Sequence, residues 1–276
     1  MSIDLHLHTH HSDGTWTPSE LVEHAVRKRM KHIAITDHDT TAGIAEAVNA
    51  ANGRLEVIPA VEINTIYHGP DGKLEDVHIL GHFIDPQNSE LQRILQLQQE
   101  ARHKHVLDCI ETLSAASVAI TVESVRKFAG KGSIGRPHIT QAIVEAGGAP
   151  DLVQAYERYM MRSSPYYTRR KSVSPTDAIA AINAAGGIAS IAHPGKGEHI
   201  DALILHLREH GLRGIETFHR VHSLKLVRHF IRLANRNGMQ ITGGSDCHGP
   251  YEDYPATLGS ISIPVEVVKD LRAALG

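Results

Sequence analysis

The sequence predicts an α/β barrel of parallel strands interrupted by a run of helices. Three observations predict it. Short apolar stretches alternate with helical patterns over residues 1–98 and again over 171–276, the rhythm of strand–helix units. No strand pattern occurs between Leu91 and Tyr166, so 99–170 reads as a helical insertion. Finally, nearly every predicted strand ends in a histidine or a carboxylate, as expected where strand ends build an active-site face. A length of 276 residues suits one large barrel of this kind.

Taken in order, Ser2–His8 alternates around Ile3, Leu5 and Leu7 and reads as a first strand. Thr17, Pro18 and Glu20 mark a helix start with a capping box, and the helix runs to about Met30. His32–Thr36 is a short strand ending in Asp37-His38-Asp39. Thr41–Ala51 reads as a helix stopped by Asn52-Gly53. Leu55–Ile63 is a strand carrying Glu62. Gly69-Pro70-Asp71-Gly72 is a turn signal, and Asp76–Phe83, with His78, is a strand that forms a hairpin with the one before or lies adjacent to it. Helical periodicity then covers 89–117, Thr121–Phe128, His138–Glu145 and Asp151–Met160. The strand–helix rhythm resumes with a helix from Ser174 to Ala185, a strand Ile188–Ala192 ending in His193-Pro194, and a helix Ile200–His210. Gly214–Thr217 is a strand, His222–Asn237 a helix, and Met239–Gly243 a strand running into Ser245-Asp246-Cys247-His248. Val265–Ala274 closes the chain as a helix.

Composition narrows the function class. Hydrophobic residues at 41% and charged residues at 21% describe a globular protein. A formal net charge of −3 gives no bulk basic field, so stable binding of duplex DNA is not expected. The two cysteines, Cys109 and Cys247, form no spaced pattern, which excludes a disulfide framework or a cysteine zinc site. Nothing reads as a signal segment or a membrane span, so a cytoplasmic enzyme is expected. The unusual number is 21 histidines.

His6, His8, Asp13, His38, Glu62, His78, His193, Asp246 and His248 all fall at, or just beyond, predicted strand ends. His6 and His8 share one strand face, because residues two apart point the same way. In a barrel these donors gather on one rim. They are too many for one ion and suit two or three divalent ions sharing a bridging carboxylate. Nitrogen and oxygen donors without sulfur favour manganese, with iron or zinc as alternatives. Three divalent ions against Asp13, Glu62 and Asp246 leave a net positive cavity, which suits a phosphate.

The set His6-x-His8, Ser12-Asp13-Gly14, Thr36-Asp37-His38, Glu62, His78, Ala192-His193-Pro194 and Ser245-Asp246-x-His248 resembles the polymerase and histidinol phosphatase (PHP) family across the whole chain outside the insertion. The resemblance implies a distorted TIM-like (β/α)7 barrel with an inserted small helical domain. Within the family the chain looks like stand-alone members that act as 3′,5′-nucleoside bisphosphate phosphatases, some also as 5′→3′ exonucleases on short RNA. It implies that His6, His8, Glu62 and Asp246 hold one metal, that Glu62 bridges to a second on His78 and His193, and that Asp13, His38 and His248 hold a third. Asp13 departs from the pattern, since other members place histidine there; this bears on the affinity and ion preference of the third site.

A water bridging two such ions loses its proton near neutral pH, and the resulting hydroxide is the expected nucleophile toward phosphorus. Asp37 is a candidate for orienting a ligand histidine or that water, or else a plain helix cap. In the insertion, Arg136 opens a predicted helix beside His138, where a second substrate phosphate is expected to be clamped. Arg170 and His222 are further candidates for phosphate contact. The expected substrate is a small nucleotide or a short oligonucleotide; oligomeric state is not indicated. Two alternatives stand beside this reading: the same chemistry on another phosphomonoester such as histidinol phosphate, and a non-catalytic metal-binding module, which an intact donor set argues against.

Overall fold

In a computed structural model, which describes residues 2–70, 72–195, 199–250 and 255–276, seven strands pair in chain order into one sheet. They are β1 (Ser2–Leu7), β2 (Met30–Ile35), β3 (Glu56–His68), β4 (Leu74–His82), β5 (Ile188–Ile191), β6 (Gly214–Phe218) and β7 (Gln240–Gly243). The two edges of the sheet meet. Leu7 bridges Cys247 just past β7, and the His8 N–H donates to the Cys247 carbonyl at 2.9 Å. The sheet therefore curls toward closure. Gly244 permits that approach: a side chain there would begin 2.2 Å from His6 Cβ.

One strand is reversed. β4 runs antiparallel to both β3 and β5, whereas every other pair is parallel. The hairpin reading of these two strands fits this pairing, whereas the expected place of His78 at the downstream end of a parallel strand is corrected. The cause is the tight Gly69–Lys73 connection, since short links join only antiparallel neighbours. Asp71 of that turn lies outside the described residues. β3 and β4 also continue past the barrel rim as a two-stranded ribbon, β3 being 13 residues long where the other parallel strands have 4 to 6. His78 reaches the rim from the middle of β4, opposite Asn64.

Helices cover the outside of the sheet. α1 (Pro18–Arg27) has the expected capping box between Thr17 and Glu20. α2 (Ile44–Ala51) begins three residues later than the pattern suggests and ends at Asn52, in the left-handed conformation. α3 (Ser89–Ala115) starts against the sheet and leaves it. Leu91, Ile94 and Leu95 join the core formed by β3–β6 and their helices, while Val106, Cys109 and Leu113 join a second apolar cluster. That second cluster is built with α4 (Val122–Ala129), α5 (Arg136–Glu145) and α6 (Leu152–Ala155), which runs into a π-helical turn, Tyr156–Met160. The boundary expected at residue 99 falls inside α3. α7 (Pro175–Ala184), α8 (Ile200–Glu209), α9 (Leu224–Arg236) and α10 (Glu266–Leu275) return to the barrel. α9 starts at Leu224 because the Ser223 hydroxyl caps it, which leaves His222 outside the helix. Among the described residues no helix is long and apolar enough to cross a membrane.

Candidate active site

His6 and His8 both turn into the barrel mouth and are fully buried. Their Nε2 atoms lie 3.1 Å apart. Glu62 Oε2 is 3.2 Å from the first and 3.3 Å from the second, and Asp246 Oδ1 is 3.5 and 3.3 Å from them. The other Glu62 oxygen, Oε1, is 2.8 Å from His78 Nδ1 and 3.1 Å from His193 Nε2. His38 lies between two carboxylates, with Nδ1 3.0 Å from Glu62 Oε2 and Nε2 3.7 Å from Asp13 Oδ1. His248 Nε2 is 3.3 Å from the same Asp13 oxygen. All nine residues singled out from the sequence therefore meet in one cluster, with Glu62 at its middle.

The donor set fits cations. His6 Nδ1 faces Glu216 Oε1 at 2.9 Å, so the ring proton sits there and Nε2 presents its lone pair. His8 Nδ1 faces the Ser12 hydroxyl at 3.4 Å, and that hydroxyl donates onward to Asp37. Two imidazole lone pairs and two carboxylate oxygens then converge on one point, which repels unless a proton or cation lies among them. Asp13 Oδ1 and His38 Nδ1, though close to charged neighbours, are buried without a well-aligned hydrogen bond among the described residues, the same signature on the other side of the cluster. Among the described residues, five groups could hold an ion: His6, His8 and Asp246; His6, Glu62 and His193; His38, Glu62 and His78; His8, Asp13, His38 and His248; and, where His6 Nδ1 faces Glu216, His6, Glu216 and His219.

In the metal-free protein, protons take the cation's place. Burial disfavours a charged His6, but the carboxylates of Glu216, Glu62 and Asp246 overcome it and raise the imidazole well above its usual range. Burial also opposes ionised Glu62 and Asp13. His38 and His6 outweigh it at Glu62, and His38 and His248 at Asp13, so both carboxyls stay well below the usual range. His248 is raised to about 9, Asp13 outweighing burial.

Two of the candidate ligands sit on strained backbone. His193 (φ 26°) and Asp246 (φ 52°) adopt the left-handed region without being glycine, at a cost of about 1–3 kcal/mol each. Gly14 closes the loop that carries Asp13, because a Cβ there would meet the His8 carbonyl oxygen at 2.4 Å.

The remaining predicted residues divide. Asp37 is buried and, among the described residues, hydrogen-bonds no candidate ligand histidine: it accepts from Thr9 N–H at 2.7 Å, Thr9 Oγ1 at 2.6 Å and Ser12 Oγ at 2.7 Å, so it braces the His8–Asp13 loop and reaches His8 through Ser12. Nor does it cap α2. His222 has both ring nitrogens engaged, Nδ1 donating to the Thr217 carbonyl and Nε2 accepting from Gly195 N–H, which leaves no N–H for a phosphate. The expected phosphate role for His222 is corrected accordingly. His138 Nδ1 accepts from Gly135 N–H at 3.0 Å and so holds the turn that presents Arg136.

Arg136 and Arg170 do line a cavity. It has a volume of about 270 Å³ and opens beside Asp13, His38 and His78. Arg102, which the sequence reading passed over, forms its inner wall and spends its N–H groups on Asp39 Oδ2 (2.7 Å), the Ile134 carbonyl (2.6 Å) and Asn64 Oδ1 (2.6 Å). Arg170 bonds the same Asp39 oxygen at 3.1 Å. Burial, and then Arg102, lower Arg170 to about 10. Two guanidinium groups share one carboxylate, so this wall carries surplus positive charge.

Glu216 was also missed. It is fully buried on β6, and its second oxygen accepts the His193 backbone N–H at 2.6 Å. An acidic residue inside the short apolar strand Gly214–Phe218 was the available signal. His219 follows the same strand, with its buried Nε2 making no hydrogen bond among the described residues and standing 3.6 Å from Asp246 Oδ2.

Comparison with known proteins agrees with this geometry. A family model for the PHP domain matches residues 4–164. A 3′,5′-nucleoside bisphosphate phosphatase of Chromobacterium violaceum is 34% identical over 91% of this chain and 88% of its own length. The 5′-3′ exoribonuclease Rnm of Escherichia coli is 32% identical over 90% and 85%. A phosphoribosyl 1,2-cyclic phosphate 1,2-diphosphodiesterase of Eggerthella lenta is 31% identical over 91% and 96%. Among solved structures, a protein of Bifidobacterium adolescentis described as a metal-dependent phosphoesterase superposes with a TM-score of 0.86 at 31% identity, covering 98% of this chain and 95% of that one. With the family model covering more than half the residues and the donor cluster intact, the chain belongs to the PHP family.

Proposed function

We propose that this metal-dependent phosphoesterase removes the 3′-phosphate of nucleoside 3′,5′-bisphosphates and also accepts short 5′-phosphorylated RNA from its 5′ end. The observation that carries the reading is one cavity lined at once by three of the nine donors, Asp13, His38 and His78, and by three guanidinium groups, Arg102, Arg136 and Arg170. A substrate with one phosphate has no use for both. The three named relatives act on phosphate esters of ribose, which supports the same class. We further read residues 99–170 as a substrate lid on the barrel, and the protein as acting in the cytoplasm, where such nucleotides are turned over.

Two or three divalent ions, manganese foremost and iron or zinc as alternatives, would be held as the sequence partition describes: His6, His8, Glu62 and Asp246; Glu62 with His78 and His193; Asp13, His38 and His248. Such ions, when bound, neutralise phosphoryl oxygens and acidify water. The chain supplies the rest. Glu216 keeps the His6 proton on Nδ1, so Nε2 stays available. Asp37 fixes the loop carrying His8 and Asp13. Arg136 and Arg170 orient the phosphate that is not cleaved, aligning the other for in-line displacement. The insertion walls the cavity against bulk water.

Phosphate release by the manganese-loaded enzyme tests this on four substrates: adenosine 3′,5′-bisphosphate, adenosine 5′-monophosphate, histidinol phosphate and a short 5′-phosphorylated RNA. The bisphosphate should lead in kcat/KM. A lead for histidinol phosphate would overturn the assignment of substrate.

A further inference from the structure

We propose that the outer end of the cavity is a nucleobase subsite in which Tyr156 and Tyr167 supply the stacking faces. The proposal rests on the nucleotide reading above and adds what holds the base. Residues 62, 64 and 66 share one face of β3, with Leu80, His78 and Asp76 of β4 beside them. This ribbon is the cavity floor. From Glu62 to Ile66 it runs about 13 Å outward from the metal cluster, which leaves room beyond a sugar and its phosphates. Beside Asp76 and Arg136, the lining there includes apolar and aromatic side chains: Ile66, Pro137, Tyr156 and Tyr167.

The two tyrosines are set apart from their neighbours. Tyr159 and Tyr166 pack together in the insertion core with ring centroids 5.5 Å apart. Tyr156 and Tyr167, each close in sequence to one of that pair, face the cavity instead. Tyr156 opens the π-helical turn, a distortion that recurs where a helix must aim a side chain at a ligand. It remains 38% exposed even with the Arg136 guanidinium over its ring. The Arg136 guanidinium carbon sits 5.8 Å from its ring centroid. A phosphate on Arg136 therefore brings the attached nucleoside against the tyrosine. Base–aromatic stacking is indifferent to base identity and changes affinity by about tenfold or more per ring.

The test is binding to the metal-free protein, which separates the subsite from catalysis. Calorimetry compares adenosine 5′-monophosphate with ribose 5-phosphate, which lacks the base. The wild type should bind the nucleotide about tenfold tighter or more. Tyr156→Leu and Tyr167→Leu should bring the ratio toward one, while the Phe variants keep it, because the ring and not the hydroxyl does the stacking. A wild-type ratio near one, or Leu variants that keep the wild-type ratio with an unchanged circular dichroism spectrum, would overturn the subsite. Failure of the functional reading looks different: the base-dependent ratio would persist while the manganese-loaded enzyme released no phosphate from the bisphosphate.

Discussion

Replacing Glu216 by glutamine should weaken metal binding although Glu216 is not among the nine donors. Its two oxygens serve two donors, the His6 ring N–H at 2.9 Å and the His193 backbone N–H at 2.6 Å, and the group is fully buried. Glutamine offers one acceptor oxygen and an NH2. Whichever way it turns, one buried N–H faces another, and a buried donor is left unpaired at a cost of about 1–3 kcal/mol. If the His6 side loses, the ring no longer has Nδ1–H fixed and Nε2 is no longer pre-aimed. If the His193 side loses, a residue already strained at φ 26° loses its anchor. Removing the negative charge also makes His6 a weaker base toward proton and metal alike. Loss of such an orienting carboxylate commonly costs 10- to 100-fold in metal affinity, about 1.4–2.7 kcal/mol. Free manganese counted by electron paramagnetic resonance during a titration reads this directly. Wild-type affinity and stoichiometry in Glu216→Gln would refute the reasoning.

Other expectations follow from the same geometry. Glu62→Ala and His193→Ala should lose turnover together with metal content, read by elemental analysis; full activity in either would sink the assignment of the centre. Arg136→Ala should lower kcat/KM on the bisphosphate by about tenfold or more while a simple aryl phosphate is spared, and an equal loss on both would count against the clamp. Ion uptake must displace protons from His6 and His248, both raised, so manganese affinity should climb as pH rises toward about 9, with proton release seen by calorimetry in buffers of different ionisation enthalpy. The sign for the metal-free fold is opposite. Raised histidines stabilise below their unfolded pKa near 6.5 and lose that contribution as pH passes about 9, so the gap in Tm between loaded and metal-free protein should widen over that interval.

The donors were legible because each lies on a short-range pattern. His6-x-His8 needs only the two-residue repeat of a strand, and Glu62, His193 and Asp246 stand at abrupt ends of apolar runs. His78 was singled out as a strand-end residue, whereas on the reversed strand its place at the rim depends on the turn at Gly69–Lys73. What stayed hidden is what depends on pairing across the barrel. Glu216 gains meaning only when β6 lies beside β5 and brings it under His6 and His193. Asn64 and Arg102, 38 residues apart, meet only because α3 crosses the β3–β4 ribbon. His222 looked free because its partners, Thr217 O and Gly195 N–H, are backbone atoms, which no side-chain pattern reveals.

Those hidden contacts also explain how the insertion keeps its station over the centre. Asp39 follows His38 directly, and its alternate direction carries it to the insertion side, where its carboxylate takes Arg102 and Arg170. Its backbone N–H donates to the Glu62 carbonyl at 2.9 Å. Asn64, two residues past Glu62, faces His78 Nε2 at 2.7 Å and Arg102 with its other end. The backbone segments that place His38, Glu62 and His78 are therefore the ones that grip α3 and the 169–173 return. A charge buried this deeply is costly to leave unpaired, about 3–5 kcal/mol when one partner is removed. Swinging the insertion away would break the Asp39 pairs and release His38 and His78 together. The cavity wall and the donor cluster thus hold one fixed spacing, which is what the proposed grip on two phosphates requires.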